Sequence, residues 1–556
     1  MENLILEFLQ KKLDQEFCSK IQFAPIPRGQ SGDLAMSFFE LAKSEKKSPP
    51  AITMDIANFL ENCDFVEKTE IVGPYLNLFF VAEKLFEKSL AAPISGKSFA
   101  GKKVVLEFSG PNTNKPLHLG HMRNHALGIA MANTLEAAGA KIHRVNIIND
   151  RGVHICKSML AYQKWGNDGQ PNKKSDHFVG DWYVRFEQEV KKDESLRDEI
   201  QKMLVAWENG DPEIRKLWKK MSDWARSGHA ETYRRQNINF EKEYHESEFF
   251  EVGKTIAEDG LARGIFKKRD DGAIVVDLTD EHLDEKVVLR ADGTSIYLTQ
   301  DLAVAAARKK DFDPDLLVYV VADEQNYHFK VLFSCLEKLG LIKNKKCVHL
   351  GYGLVHLPDG RMKSREGNVV DADNLMDELK NLATDEIRTR HDDWPDTEID
   401  AVAEKIQDGA WKFFLLSTSP RKSITFDAKK SIQFEGATGP YLQYAGVRIQ
   451  SILKKAGEIP NGDFSKFFGN AEKPLGVKIL EFEKVIDRAA ETMNPTGVVT
   501  FLMELAQDWS SFYANNSVIS ADDENLRAAR LQLAKKVLDV LERGIEILGF
   551  QLPEKM

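Results

Sequence analysis

Between residues 104 and 150 the chain reads as strand, loop, helix and strand, and this succession constrains its fold more than any other stretch. VVLEF (104–108) is a short, almost unbroken apolar run, the pattern of a strand buried on both faces. A loop rich in Gly, Pro and Asn follows, then HMRNHALGIAMANTLEAAGA, a helical stretch in which Gly139 is placed to cap the C-terminus. HRVNIIND supplies the second strand. A βαβ unit of this kind predicts a doubly wound, Rossmann-type parallel sheet that binds ligands at the carboxyl ends of its strands.

The remainder is divided by changes of pattern. A chain of 556 residues has room for about three or four domains. Residues 1–98 read as an N-terminal α+β domain: LAMSFFELAK reads as a helix capped by Asp33, AITMDIANFLENC as another, and GPYLNLFF as a strand. The Pro/Gly/Ser-bearing segment 92–101 is a linker candidate. Residues 99–370 form the α/β domain, with a charged, tryptophan-bearing and mostly helical insertion over about 162–292 and a second α/β half beyond it. Strand signals then nearly vanish, giving a helical connector (371–430) and an all-helical bundle (431–556).

The formal net charge of −10 excludes a uniformly basic nucleic-acid coat but leaves room for a local basic groove. Five scattered cysteines with no CxxC pair fit neither a disulfide framework nor a zinc ribbon. No signal-peptide pattern and no apolar run of the ~18 residues needed for a span are found, so a cytoplasmic chain without membrane contact is expected.

The chemistry concentrates in EFSGPNTNKPLHLGH (107–121). His118 and His121 share one helical face at the opening of a helix, where free N–H groups and the positive dipole end favour an anion. Gly120 removes a side chain where a nucleotide could approach. A polyphosphate site fits this arrangement. A metal pair lacks an accompanying partner, and two ordinary surface histidines are the bland alternative.

This stretch resembles the signature of class I aminoacyl-tRNA synthetases, which bind ATP with a His-x-Gly-His element after the first strand. The family's second element, a lysine-bearing loop after the last strand, is matched by GYGLVHLPDGRMKSREGNVV (351–370), with Met362, Lys363 and Ser364 in the Lys-Met-Ser-Lys-Ser register. Ser364 stands where the family has its second lysine. Phosphate charge develops during adenylyl transfer and calls for preorganised cations, so Lys115 is a candidate replacement, against its reading as a solvated loop cation. The combination of a degenerate loop and an upstream lysine resembles the arginyl-tRNA synthetases. GPYLNLFF, VNIINDRGVHICK, HFVGDWYVRF, GPYLQYAGVR, DWSSFYANN and LGFQLPEKM extend the resemblance over nearly the whole chain.

The resemblance implies ATP-dependent ligation of L-arginine to the 3′-terminal adenosine of the arginine tRNA, through arginyl-adenylate, with release of AMP and pyrophosphate. It implies tRNA contact by both terminal domains, the N-terminal one at the tRNA elbow and the C-terminal one at the anticodon. His118, His121, Lys115 and Lys363 would be catalytic, with Gly120, Met362 and Ser364 also at ATP. Glu107 and Asn112 would meet the α-amino end of arginine, Asp301 its guanidinium, Tyr297 would pack on it and Gln325 orient it. Carboxylates in planar geometry suit a guanidinium. Without the family, Tyr297 is equally a core aromatic and Asp301 a surface charge. Tyr441, Tyr444, Tyr513 and Met556 are candidate anticodon contacts, since stacking reads unpaired bases; core packing is the other reading of the tyrosines. Arg527, Arg530, Lys535 and Lys536 could touch phosphates or form an ordinary solvated face. ATP would arrive with Mg2+, no tightly bound protein-ligated metal is expected, and a monomer is the expected state. The rivals are a catalytically silent RNA-binding paralogue and a nucleotidyltransferase acting on a small metabolite.

Overall fold

The computed structural model describes residues 1–24, 26, 31–343, 346–358 and 370–556. Its contacts divide the chain into two compact units, one made of residues 1–96, 442–486 and 500–544, the other of 97–441, 487–499 and 545–556.

The second unit is built on five parallel strands. In chain order they are β1 (Lys103–Glu107), β2 (Lys141–Ile148), β3 (Lys242–His245), β4 (Leu316–Ala322) and β5 (Cys347–Tyr352). Their spatial order is β5-β4-β1-β2-β3. The chain runs outward from β1 to β3, then crosses back to lay β4 on the other side of β1. The boundary between β1 and β4 is therefore the switch point, where diverging connections open a crevice at the strand carboxyl ends.

Helix α1 (Leu119–Ala137) follows β1 and is buried almost all round, which explains why its apolar residues form no single stripe. Gly139, just past its end, has φ +95°, a left-handed backbone that favours glycine. Arg123 ties α1 to its surroundings by donating to the carbonyls of Leu415, Pro420 and Lys422 at 2.9–3.0 Å. Helix α2 (Tyr297–Phe312) precedes β4, and α3 (Ala372–Arg390) begins the helical stretch beyond β5.

The insertion reading needs one correction. Residues 162–292 carry the helices Ser175–Glu189, Leu196–Glu208, Pro212–Arg235 and Glu246–Ala262, but also β3 of the central sheet and a three-stranded antiparallel sheet (Lys267–Lys268, Ile274–Val276, Lys286–Leu289). Strand β3 is an edge strand of sequence KEYH with one buried residue, Tyr244, so no apolar run announces it.

The first unit holds a four-stranded antiparallel sheet in the order Gln22–Ala24, Leu34–Ser37, Tyr75–Phe80, Val66–Val72. Here too the sequence reading is corrected: Leu34–Ser37 is a strand, and the helix starts only at Phe39. All four strand residues are buried, so the two-residue alternation that marks a half-exposed strand is missing. Asp33 caps no helix; its carboxylate accepts the Phe80 N–H at 2.7 Å. The apolar cluster around this sheet takes in Val477 and Leu480 from the helix Lys473–Glu491, and Phe86 stacks on Phe468 with ring centres 3.7 Å apart.

Candidate active site

A cavity of about 770 Å³ opens at the switch point. This volume lies in the range of small-ligand sites. Its walls come from the carboxyl ends of β1, β4 and β5 and from the amino ends of α1 and α2. Among the sequence candidates it is lined by Glu107, His118, Gly120, His121, Tyr297, Asp301 and Gln325. The histidines and both acids thus share one cavity.

His118 is the N-cap of α1. Its Nδ1 accepts the Gly120 N–H at 3.1 Å, while its own N–H is donated to His121 Nδ1 at 3.2 Å. The pair forms a reciprocal capping box with imidazoles in place of the usual hydroxyl and carboxylate. Burial and nearby Lys115 lower the His118 pKa to about 4, and burial with the neighbouring His118 and His125 holds His121 well below its ordinary value. Both rings are therefore neutral at pH 7. An Nδ1 that accepts leaves the proton on Nε2, so each ring presents an N–H donor beyond the cap. A Cβ on Gly120 would lie 3.0 Å from the His118 ring, which explains the glycine between them.

The turn after β1 is held from several directions. Ser109 has φ +83°, unusual for a residue with a side chain. Its N–H donates to Asn124 Oδ1 at 2.5 Å, and its hydroxyl meets Tyr233 at 2.7 Å and His125 Nε2 at 2.8 Å. Asn124 Nδ2 in turn donates to the Val320 carbonyl at 2.6 Å, locking α1 to the end of β4. A strained residue fixed this firmly beside a cavity is how binding sites are preorganised.

On the opposite wall, His328 Nε2 lies 2.6 Å from Asp301 Oδ2. Tyr297 is 75% exposed and so is no core aromatic. Glu107 is buried, and its Oε2 accepts from Nη2 of the fully buried Arg308. Burial raises the Glu107 carboxyl above its ordinary value, and Arg308 opposes this only in part.

Asn112 is not among the lining residues. Its backbone bridges Asn149, which does line the cavity. Lys115 is also not a lining residue; its carbonyl accepts from His229 Nε2 at 2.9 Å, and burial lowers its pKa. Met362, Lys363 and Ser364 lie outside the described residues. The chain beyond them is anchored beside the histidines, where the Leu119 N–H donates to the Val370 carbonyl and the Ala372 N–H to the Leu117 carbonyl, both at 3.0 Å. Sequence reasoning missed Asn149, His328 and Arg308; His328 follows Gln325 by three residues, and Arg308 follows Asp301 by two helical turns.

Elsewhere, Tyr444 and Tyr513 belong to the first unit, with the Arg448 guanidinium 5.0 Å from the Tyr513 ring centre. Tyr441 and Met556 belong to the second, where Met556 packs on the cluster around Ile387 and Ile406. Asp176, His177 and Asp373 converge in a way that could hold a cation, but the Lys174 ammonium lies 2.8 Å from both carboxylates and already serves as their counter-charge.

A family model described as "tRNA synthetases class I (R), catalytic domain" matches residues 82–427. Models of the arginyl tRNA synthetase N terminal domain and the DALR anticodon binding domain match residues 1–80 and 442–556. The arginine–tRNA ligase of Treponema denticola is 42% identical over 97% of this chain and 96% of its own length. That of Borrelia turicatae is 41% identical over 95% and 94%. Among solved structures, Thermus thermophilus arginyl-tRNA synthetase superimposes with a TM-score of 0.87 at 27% identity, covering 100% of this chain and 99% of that one.

Proposed function

The chain belongs to the arginyl-tRNA synthetase family and is an arginine–tRNA ligase, and from that premise we infer how its own residues carry the reaction. The arginine carboxylate attacks the α-phosphorus of ATP and pyrophosphate leaves. The 2′-hydroxyl of the terminal adenosine of the tRNA then attacks the arginyl carbonyl and AMP departs. Neither step needs a protein nucleophile; both need alignment and charge stabilisation.

We assign the phosphate side of the cavity to His118 and His121. As neutral Nε2–H donors they add hydrogen bonds to the phosphates without adding a proton that could leave with them. Gly120 keeps the approach open. Lys115 and Lys363 are assigned the charge that accumulates on the departing pyrophosphate, with Met362 and Ser364 beside the nucleotide. ATP enters as its Mg2+ complex, the ion belonging to the substrate. The arginine side is assigned to Asp301, oriented by His328, together with Glu107, Tyr297 and Gln325; Asn112 is assigned to the α-amino end through the turn it shares with Asn149. The observation that carries this reading is the presence of both acids and both histidines in the walls of one cavity at the switch point.

We assign residues 1–98 to the tRNA elbow, 371–430 to a connector, and 431–556 to the anticodon, with Tyr441, Tyr444, Tyr513 and Met556 as contacts. No helix among the described residues is long and apolar enough to cross a membrane; the chain is read as a monomer acting in the cytoplasm.

The test is ATP–pyrophosphate exchange with the arginine tRNA present. Exchange should depend on arginine and on no other amino acid, and its absence would leave a silent RNA-binding protein. Asp301→Asn should raise the KM for arginine by about tenfold or more, the scale of losing a charge-assisted contact, while the KM for ATP stays within about twofold. Parallel rises in both constants would remove Asp301 from the guanidinium.

A further inference from the structure

The assigned substrate acids do not stand alone in the cavity wall. Arg308 lies on α2 two turns after Asp301, a spacing that brings both side chains to the same face of the helix. Its side chain is 1% exposed and reaches Glu107 across the sheet. The contact is single: Nη2 donates to Oε2, and Oε1 has no hydrogen-bond partner among the described residues. The guanidinium lies near two rings, with its carbon 5.2 Å from the centre of Tyr244 and 5.3 Å from that of Tyr319. Tyr319 is the register partner of Glu107 on β4. The Tyr244 hydroxyl donates to Asp311, three residues further along α2, at 2.8 Å. Arg308 is thus held by two neighbouring rings and by one carboxylate oxygen at its tip.

We propose that Arg308 is the positioning residue that pairs with the Glu107 carboxylate and keeps it aimed, leaving one carboxylate oxygen for the substrate. The proposal rests on reading Glu107 as an arginine contact. Glu107 and Asp301 are the carboxylates among the lining residues. Arg308 compensates the first, and His328 Nε2 lies 2.6 Å from the second. Without Arg308, two carboxylates would face each other in a poorly hydrated site, and one would take up a proton. Burial and Asp301 both push the Glu107 carboxyl up, and Arg308 opposes them. The other titratable groups around Glu107 are Tyr319, its register partner on β4, and, in the same cavity wall, Asp301, His118, His121 and His328. His118 and His121, held neutral by burial, supply no cation to take the place of the guanidinium.

The experiment is steady-state aminoacylation by the full chain at pH 6.5–8.5 with arginine varied. For Arg308→Met the KM for arginine should rise at least tenfold at pH 7 and fall as pH is raised, because the Glu107 carboxyl must then be deprotonated by solvent. The KM for ATP and kcat should stay within about threefold. Arg308→Lys, which keeps the charge, should restore a flat profile and a KM within about threefold of the parent. A parent-like KM in R308M, or an R308K as pH-dependent as R308M, overturns the proposal. If R308M does not fold by circular dichroism, the pH profile of R308K alone decides: flat supports, sloping overturns. Glu107→Gln run in parallel separates the two failures. If E107Q raises the arginine KM and R308M does not, Arg308 loses its role while the site reading stands. If E107Q leaves it unchanged, both fall.

Discussion

At the scale of single residues, the two histidines combine a structural task with an assigned chemical one. By capping α1 through Nδ1, His118 fixes which nitrogen carries its proton, so the helix start and the donor direction are set by the same bond. The paired histidines, the glycine and the acid at the strand end were all legible in the sequence because chemistry-bearing residue types stood close together there. The capping role was not, since imidazoles are rare caps, and neither was Arg308, which as a letter is indistinguishable from the lysines that follow it. A pH dependence follows from the burial of the rings. His118 is lowered to about 4 and His125, deeper still, to about 3. A histidine with a folded value below its unfolded one binds fewer protons when folded, so its contribution to stability is complete above about pH 6.5 and is lost as pH falls toward the folded value. The unfolding temperature is expected to be level between pH 7 and 8 and to drop steadily from pH 6.5 to 4. A level Tm down to pH 4.5 would mean that these rings are charged in the native state.

Among the elements, α1 does most to align the cavity, and one close contact lets its fit be tested. A Cβ on Gly128 would come within 2.3 Å of the Phe108 ring, so the helix sits against β1 at a distance only glycine allows. Gly128→Ala sets two effects against each other. Alanine in a helix interior gains about 1 kcal/mol over glycine. Overpacking a closed core costs about 1–3 kcal/mol, and here the obstacle is a buried ring wedged against Phe240 with centres 4.7 Å apart. The clash should win. Calorimetry of G128A should show a lower Tm, and arginine-dependent exchange should fall because Phe108 precedes the strained Ser109; a higher Tm would mean that helix and strand can separate at no cost. The βαβ unit around this contact could be read in advance because a buried strand and a long helix each leave a pattern. Leu34–Ser37 and β3 could not, the first being buried on both faces and the second too short and polar to show alternation.

On the scale of the molecule, the compact units are assembled from distant segments. Periodicity shows that the helix Lys473–Glu491 has an apolar face, but nothing local says that residues near the other end of the chain cover it. In the first unit Val477 and Leu480 lie against the cluster around Leu76 and Leu78, and a Cβ on Gly476 would meet Phe86 and Leu85 at 3.2–3.3 Å. The Lys473 ammonium, 5% exposed, lies 3.0 Å from Glu67 and 3.7 Å from Asp33. The N-terminal segment therefore supplies both apolar cover and counter-charge to the helical bundle. Deleting residues 1–96 would expose Val477, Leu480 and Phe468 together and leave Lys473 without its two carboxylates. Losing one large core aromatic alone costs about 3–5 kcal/mol, against a total stability of about 5–15 kcal/mol for a domain. The shortened chain should accordingly lose a calorimetric transition that the full chain shows, or aggregate on expression. A shortened chain that keeps every transition of the parent would make the N-terminal segment an appendage whose removal affects tRNA alone. Phe86→Ala separates folding from tRNA contact, since this ring stacks on Phe468 and should lower the same transition without shortening the chain.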